Sequence, residues 1–193
     1  MLQFYQIHYH QKKNKYGSSG IPYGNEVIIV DNKYKEVLKN TIGQICVRGK
    51  NVMKEYYKNS EETKKSFYKD WFLTGDLGLI DEENYVFVKG RIKELIIKGG
   101  ENISPREIDD ILYQHPAVLE AATFATKCHH YGEKIEAGIV LKKNHKVTEN
   151  DLIKHCENLI GKFKSPDKVY FFSELPKGPS GKIQRFKIQE KIK

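Results

Sequence analysis

Cysteine is scarce in this 193-residue sequence, with only Cys46, Cys128 and Cys156 present. They lie far apart and form no C-x-x-C, so no disulfide framework or redox dithiol is encoded. Three thiols cannot all pair within one chain, and they read as reduced structural cysteines of an intracellular, cytoplasmic protein. The seven histidines include His129 and His130 beside Cys128, and His155 beside Cys156, but no two stand four residues apart. Neighbouring side chains diverge on a strand or helix, so no zinc site is expected. Long apolar runs are missing as well, and none approaches the roughly 18 residues of a membrane span. The opening MLQFYQIHYHQ lacks a basic start and a small-residue cleavage site, so no secretory signal is expected. An aromatic RNP-like strand and a recognition helix are absent too, which argues against a nucleic-acid partner.

What is present is enough for a packed core. Apolar residues make up 39% and aromatics 11% of the chain, too many for global disorder, and the length allows one sizeable domain or two small ones. The net charge is +8, and residues 162–193, with nine Lys/Arg against three acids, supply +6 of it. Such a tail calls for an anion, without saying which.

The texture changes midway. Residues 1–16 read as an irregular start. From residue 17 to 89 short strands alternate with glycine turns: EVIIV, GQICVRG, then WFLTGDLGLI and YVFVKG around a DEEN turn. NSEETKKSF opens as a short helix with Ser60 in place to cap it. From residue 90 to 193 strands and helices alternate. KELIIK reads as a strand. SPREIDDILYQH reads as a helix, with Ser104 as N-cap, Pro105 at N1 and Glu107 completing a capping box. AVLEAATFAT and IEAGIVLKK are strands, TENDLIKHCENLIGK is a helix from Thr148 to its stop at Gly161, and KVYFFS is the last strand. The fold class expected is an antiparallel β-rich subdomain followed by a small mixed α/β domain, joined near Gly90–Arg91.

Three clusters carry chemistry. In WFLTGD (71–76) the spacing predicts that Asp76 ends a strand at a glycine turn, where a carboxylate either reaches a ligand or caps the turn. In GRIKELIIKGGENISPREID (90–109), Arg91 and Lys93 sit at the proposed boundary. The Gly99–Gly100 pair either admits a ligand close to the backbone or simply makes a strand-to-helix turn. In PKGPSGKIQR (176–185), Lys182 follows a glycine, yet the Walker pattern fails: position 176 is proline and Ile183 offers no hydroxyl for a metal. Taken alone, Lys182 is a solvated loop lysine.

In this order and at this spacing, WFLTGD, GRIKELIIKGGENISPREID and LPKGPSGKIQR resemble the adenylate-forming superfamily of acyl-CoA synthetases, luciferases and peptide-synthetase adenylation domains. The upstream GSSGIPYGNEVIIVD and GQICVRGKNVMKEYYKNSEETKKSF are similar to that family's strand-rich subdomain, so the resemblance runs from about residue 17 to 188. It implies an acid–thiol ligase that converts a carboxylic acid and ATP to an acyl-adenylate and pyrophosphate, then transfers the acyl group to CoA while a C-terminal lid domain rotates. By motif match, Asp76 would bind the ribose hydroxyls of ATP or AMP, and Arg91 would hold the nucleotide. Lys93 would be the hinge, Gly99 and Gly100 would line the CoA channel, and Lys182 would be the catalytic lysine of adenylation.

The departures matter equally. The family's Gly/Ser/Thr-rich phosphate loop, its adenine-contacting segment and the glutamate that binds Mg2+ have no counterpart here. YGNE (23–26) falls in the wrong place to serve. The expectation is therefore the last third of a synthetase, the end of its large domain plus the whole lid, inactive without the rest. GGENISP looks closer to CoA ligases than to peptide synthetases, and nearest to those acting on small or medium acids, oxalate-type ligases included. The alternatives are a non-catalytic remnant that binds a partner, and an adenylation fragment with a non-CoA acceptor.

Overall fold

The computed structural model describes residues 15–192, which divide into two compact units, one ending at Lys93 and the other starting at Glu94. The sequence placed its boundary between residues 89 and 90. Residues 1–14 of the expected irregular start lie outside the described residues.

The first unit is an antiparallel sheet of five strands: β1 (Asn25–Val30), β2 (Gly43–Gly49), β3 (Phe67–Tyr68), β4 (Trp71–Ile80) and β5 (Val86–Arg91), in the order β1-β2-β4-β3 with β5 also on β4. Side chains on a strand alternate between its two faces, and one face gathers the buried Ile29, Ile45, Val47 and Val86 into the unit's core. The DEEN turn joins β4 to β5. There Asp81 accepts hydrogen bonds through its carboxylate from the Glu83 and Tyr85 amides, and Asn84 takes the left-handed φ of 69°. A short helix, α1 (Ser60–Lys65), is capped one residue earlier than expected: Asn59, not Ser60, accepts from the Glu62 amide. Asn59 wins because its side-chain carbonyl sits where that first-turn donor points.

The second unit holds β6 (Ile96–Lys98), β7 (Glu101–Ile103), α2 (Pro105–Leu112), β8 (Val118–Cys128), β9 (Gly132–Leu141), α3 (Glu149–Ile160), β10 (Lys168–Phe171) and α4 (Arg185–Lys191). The sheet order is β10-β9-β6-β7, with β8 paired along the length of β9; only β10 runs parallel to its neighbour. Alternation along β8 and β9 builds two cores. Ala121 and Ile139 face α2 and α3, joining Ile108, Leu112, Leu152 and Cys156. Their neighbours Ala122 and Val140 face the opposite way, toward Leu175 and Ile188 of α4. The helix α3 starts as expected at Thr148, which forms a reciprocal capping box with Asp151, and stops at Gly161 with φ 79°. At α2, Pro105 occupies the first turn, but the Ser104 side chain makes no cap bond and the expected box does not form. Glu107 is drawn instead to Lys164, 2.9 Å away.

Candidate functional site

In the first unit Asp76 and Arg91 are cross-strand partners. The ladder places them opposite each other on β4 and β5, and Arg91 Nε lies 2.9 Å from Asp76 Oδ1. Asp76 does not end a strand as expected: β4 continues to Ile80. The Thr74-Gly75-Asp76 segment is nonetheless irregular, because its register against β2 slips and Gly75 adopts φ 72°. Thr74 stabilises this bulge by donating its hydroxyl to the Ile45 carbonyl at 2.7 Å and accepting the Asp76 amide at 3.0 Å. Such bulges re-aim a side chain without breaking the sheet. The result is a nearly buried carboxylate, 9% exposed, beside a guanidinium that is 55% exposed, a cation fixed at its base and open at its tip. Lys93 follows in a single 3-10 turn, Ile92–Glu94, and is exposed. That turn is where the expected KELIIK strand gives way, since only Ile96–Lys98 is extended.

In the second unit Gly99 and Gly100 form the turn of the β6–β7 hairpin, not a strand-to-helix connection. Lys98 pairs with Glu101 across it, and both glycines have positive φ, 59° and 86°. Two consecutive left-handed residues make the primed turn that a tight hairpin needs. A Cβ on Gly99 would stand 3.3 Å from the Tyr131 ring and 3.6 Å from that of Phe163, whereas one on Gly100 would meet nothing within 4 Å. Beneath the turn lies Lys98, its side chain 5% exposed. Its ammonium is 3.0 Å from Asp167 Oδ2, 5.4 Å from the centre of the Phe163 ring and 6.0 Å from that of Tyr131. A buried lysine requires an anion and polarisable neighbours, and both are present.

Lys182 occupies a second hairpin-like loop. A bridge between Lys177 and Ile183 closes it. The Gly178 amide donates to the Lys182 carbonyl at 2.8 Å, Gly181 to Gly178 at 2.9 Å and Gln184 to Pro176 at 2.8 Å. Gly181 takes φ 75°, and a Cβ on Gly178 would stand 3.0 Å from the Gln184 side chain. The backbone of Lys182 is thus pinned while its side chain stands exposed, in no ion pair among the described residues.

Sequence reading overlooked the groups that hold these loops. Arg185 opens α4 with its guanidinium on Asp109 Oδ2 (2.6 Å), the Thr123 carbonyl (2.9 Å) and Glu94 Oε2 (3.4 Å). Burial pushes the Asp109 carboxyl up, against the opposing charge of Arg185. Lys98 and Arg185 both lie inside the recognised motifs, and that was the available signal. Among the described residues no group of three or more His, Cys, Asp or Glu could hold a metal ion, and no helix is long and apolar enough to cross a membrane.

Residues 107–182 match the family model of the AMP-binding enzyme C-terminal domain. The chain is 42% identical over 177 residues to a sulfoacetate–CoA ligase of Cupriavidus necator, covering 91% of this chain and 35% of that one. It is 42% identical over 172 residues to an oxalate–CoA ligase of Arabidopsis thaliana, covering 89% and 34%. Among solved structures, ATP-bound MatB from Rhodopseudomonas palustris superposes with a TM-score of 0.86 at 36% identity, over 91% of this chain and 35% of that one. The chain spans about a third of the length of the curated relatives it matches.

Proposed function

Because this chain belongs to the adenylate-forming enzymes, as their C-terminal portion, we propose that it serves both steps of an acid–thiol ligation within a longer polypeptide. In the first step a carboxylate oxygen bonds to the α-phosphorus of ATP, the bond to the bridging oxygen breaks and pyrophosphate leaves. In the second, the CoA sulfur bonds to the acyl carbon, AMP departs with the electron pair and the thiol proton is released.

Asp76 accepts the ribose hydroxyls, and Arg91, anchored by Asp76, turns its open end to the nucleotide. Lys93 is the pivot between the two units. The Gly99–Gly100 turn borders the thiol's path, where the open side of Gly100 leaves room for a slender chain. Lys182 brings its ammonium to the reacting carboxylate and α-phosphate, offsetting the charge that accumulates at phosphorus. The described residues offer no donor set for the Mg2+ that accompanies ATP, and no step here runs through it. Sulfoacetate and oxalate, the acids named for those two relatives, support a short acid with a second anionic group as substrate. The three free cysteines support an intracellular, cytoplasmic setting.

The observation that carries this reading is the exposed ammonium of Lys182 on a backbone held by three hydrogen bonds. The test is Lys182→Ala in the longer ligase, with the half-reactions measured separately. Pyrophosphate exchange is expected to fall by about 10²–10³, while thioester formation from supplied acyl-adenylate is largely spared. Equal losses in both steps would refute the assignment.

A further inference from the structure

The loop that carries Lys182 is internally stiff, but stiffness alone does not aim a side chain. A rigid loop on a loose stem still wanders, so the attachments of its two legs decide where the ammonium points. The leading leg is held by Leu175, buried in the second core, and by an exposed ion pair between Lys177 and Glu120. Exposed pairs of that kind restrain weakly. The trailing leg ends three residues after Lys182 at Arg185, whose contacts are of another order. One nitrogen reaches Asp109 of α2, another the Thr123 carbonyl of β8, and the third Glu94. Asp109 is itself locked, because its other oxygen accepts the Thr123 amide at 2.6 Å. Glu94 adjoins Lys93, the proposed pivot. One planar fork therefore ties the loop to a helix, a strand and the segment next to the pivot.

Arg185 directs its guanidinium into its own unit. Its side chain is 24% exposed and all three nitrogens are committed to acceptors within the unit. We propose that Arg185 is the positioning residue for Lys182, fixing the lysine loop to the frame of the second unit so that the ammonium arrives where adenylation needs it. The inference rests on the proposed role of Lys182. It follows that lysine cannot replace Arg185: an ammonium is a point donor and cannot span three acceptors held by a flat guanidinium. Displacing a catalytic group by about 1 Å costs about 10²-fold, so a loosened anchor acts on rate well before it acts on folding.

The test compares Arg185→Lys, Lys182→Ala and the double variant in the longer ligase. The readouts are pyrophosphate exchange, thioester formation from supplied acyl-adenylate, and the thermal midpoint. Arg185→Lys is expected to lower the adenylation kcat by about 10- to 100-fold with little change in the KM for ATP or in the second step. On the Lys182→Ala background it should cost nothing further, since two residues acting as one unit do not add. Additive losses would show that Arg185 acts independently of Lys182, and equal losses in both half-reactions would show a general effect on the fold; either outcome overturns the inference. If Lys182→Ala alone spares adenylation, the role of Lys182 falls and this inference falls with it, a result distinct from additivity. Should Arg185→Lys fail to fold, Asp109→Asn weakens the same anchor isosterically. It should give the same adenylation-selective pattern at about 3- to 10-fold; no selectivity there overturns the inference as well.

Discussion

Two turns of the second unit are built from the same ingredients and use them in opposite ways. The β6–β7 hairpin and the loop over residues 177–183 each set a lysine beside glycine of positive φ: Lys98 beside Gly99 and Gly100 in the hairpin, Lys182 beside Gly181 in the loop. In the hairpin, Lys98 points inward to Asp167 and two aromatic rings, and the backbone of Gly99 and Gly100 is what faces outward. In the loop, backbone bonds consume the interior and Lys182 points outward. A lysine beside glycines thus has no fixed meaning, because the direction of its side chain decides whether it is committed to the fold or left open to a ligand.

The comparison breaks most readily at Lys182. Lys182→Ala should cost adenylation about 10²–10³ in rate yet move the unfolding free energy by less than about 0.5 kcal/mol; a large drop in the denaturation midpoint would contradict the division of labour. Lys98→Met should do the reverse for stability. Methionine fills much of the same space but loses the ion pair and the ring contacts. Asp167, 42% exposed, can rehydrate, so about 1–2 kcal/mol is expected, measured by urea unfolding.

Smaller effects sharpen the picture. Gly99→Ala and Gly100→Ala each place a side chain in the left-handed region, at about 1 kcal/mol or more. Gly99→Ala should cost more, because its methyl also meets Tyr131; equal midpoints would mean that the ring gives way. The smallest perturbation is thiol labelling. Burial pushes Cys46 up to about 11 and Cys156 up to about 12, whereas the amides of Tyr131 and His130 hold Cys128 below the usual thiol range. At pH 8 Cys128 should therefore react first with iodoacetamide. Cys128 closes the β8–β9 turn next to Tyr131, so its rate should rise in Lys98→Met and stay unchanged in Lys182→Ala.

Much of this was readable from sequence, unevenly. The strands EVIIV and GQICVRG and the helix opened by Thr148 follow local rules, and they stand where alternation and capping put them. The motifs identified Asp76, Arg91 and Lys182 as residues to follow, but not that Asp76 and Arg91 face each other across a bulged ladder. What escaped depends on distant contacts. No helix was expected over Arg185–Lys191, because this seven-residue segment lacks a side-chain cap and owes its place to Ile188 seated on Ala122 and Phe124. Nothing local marks Lys98 for burial, since its partner Asp167 lies 69 residues away.

The anchor at Arg185 has a consequence for how the second unit is made. Its contact with Glu94 joins residues 91 positions apart, the beginning of the unit to its final helix. Contacts of such long range form late, after the shorter loops have closed. During synthesis, with chain emerging at about 5–20 residues per second, strands β6 to β9 can assemble for several seconds before Arg185 exists to lock them. Orientation of the lysine loop is thus among the last events in the unit's maturation, and the chemistry proposed for it waits on a completed fold.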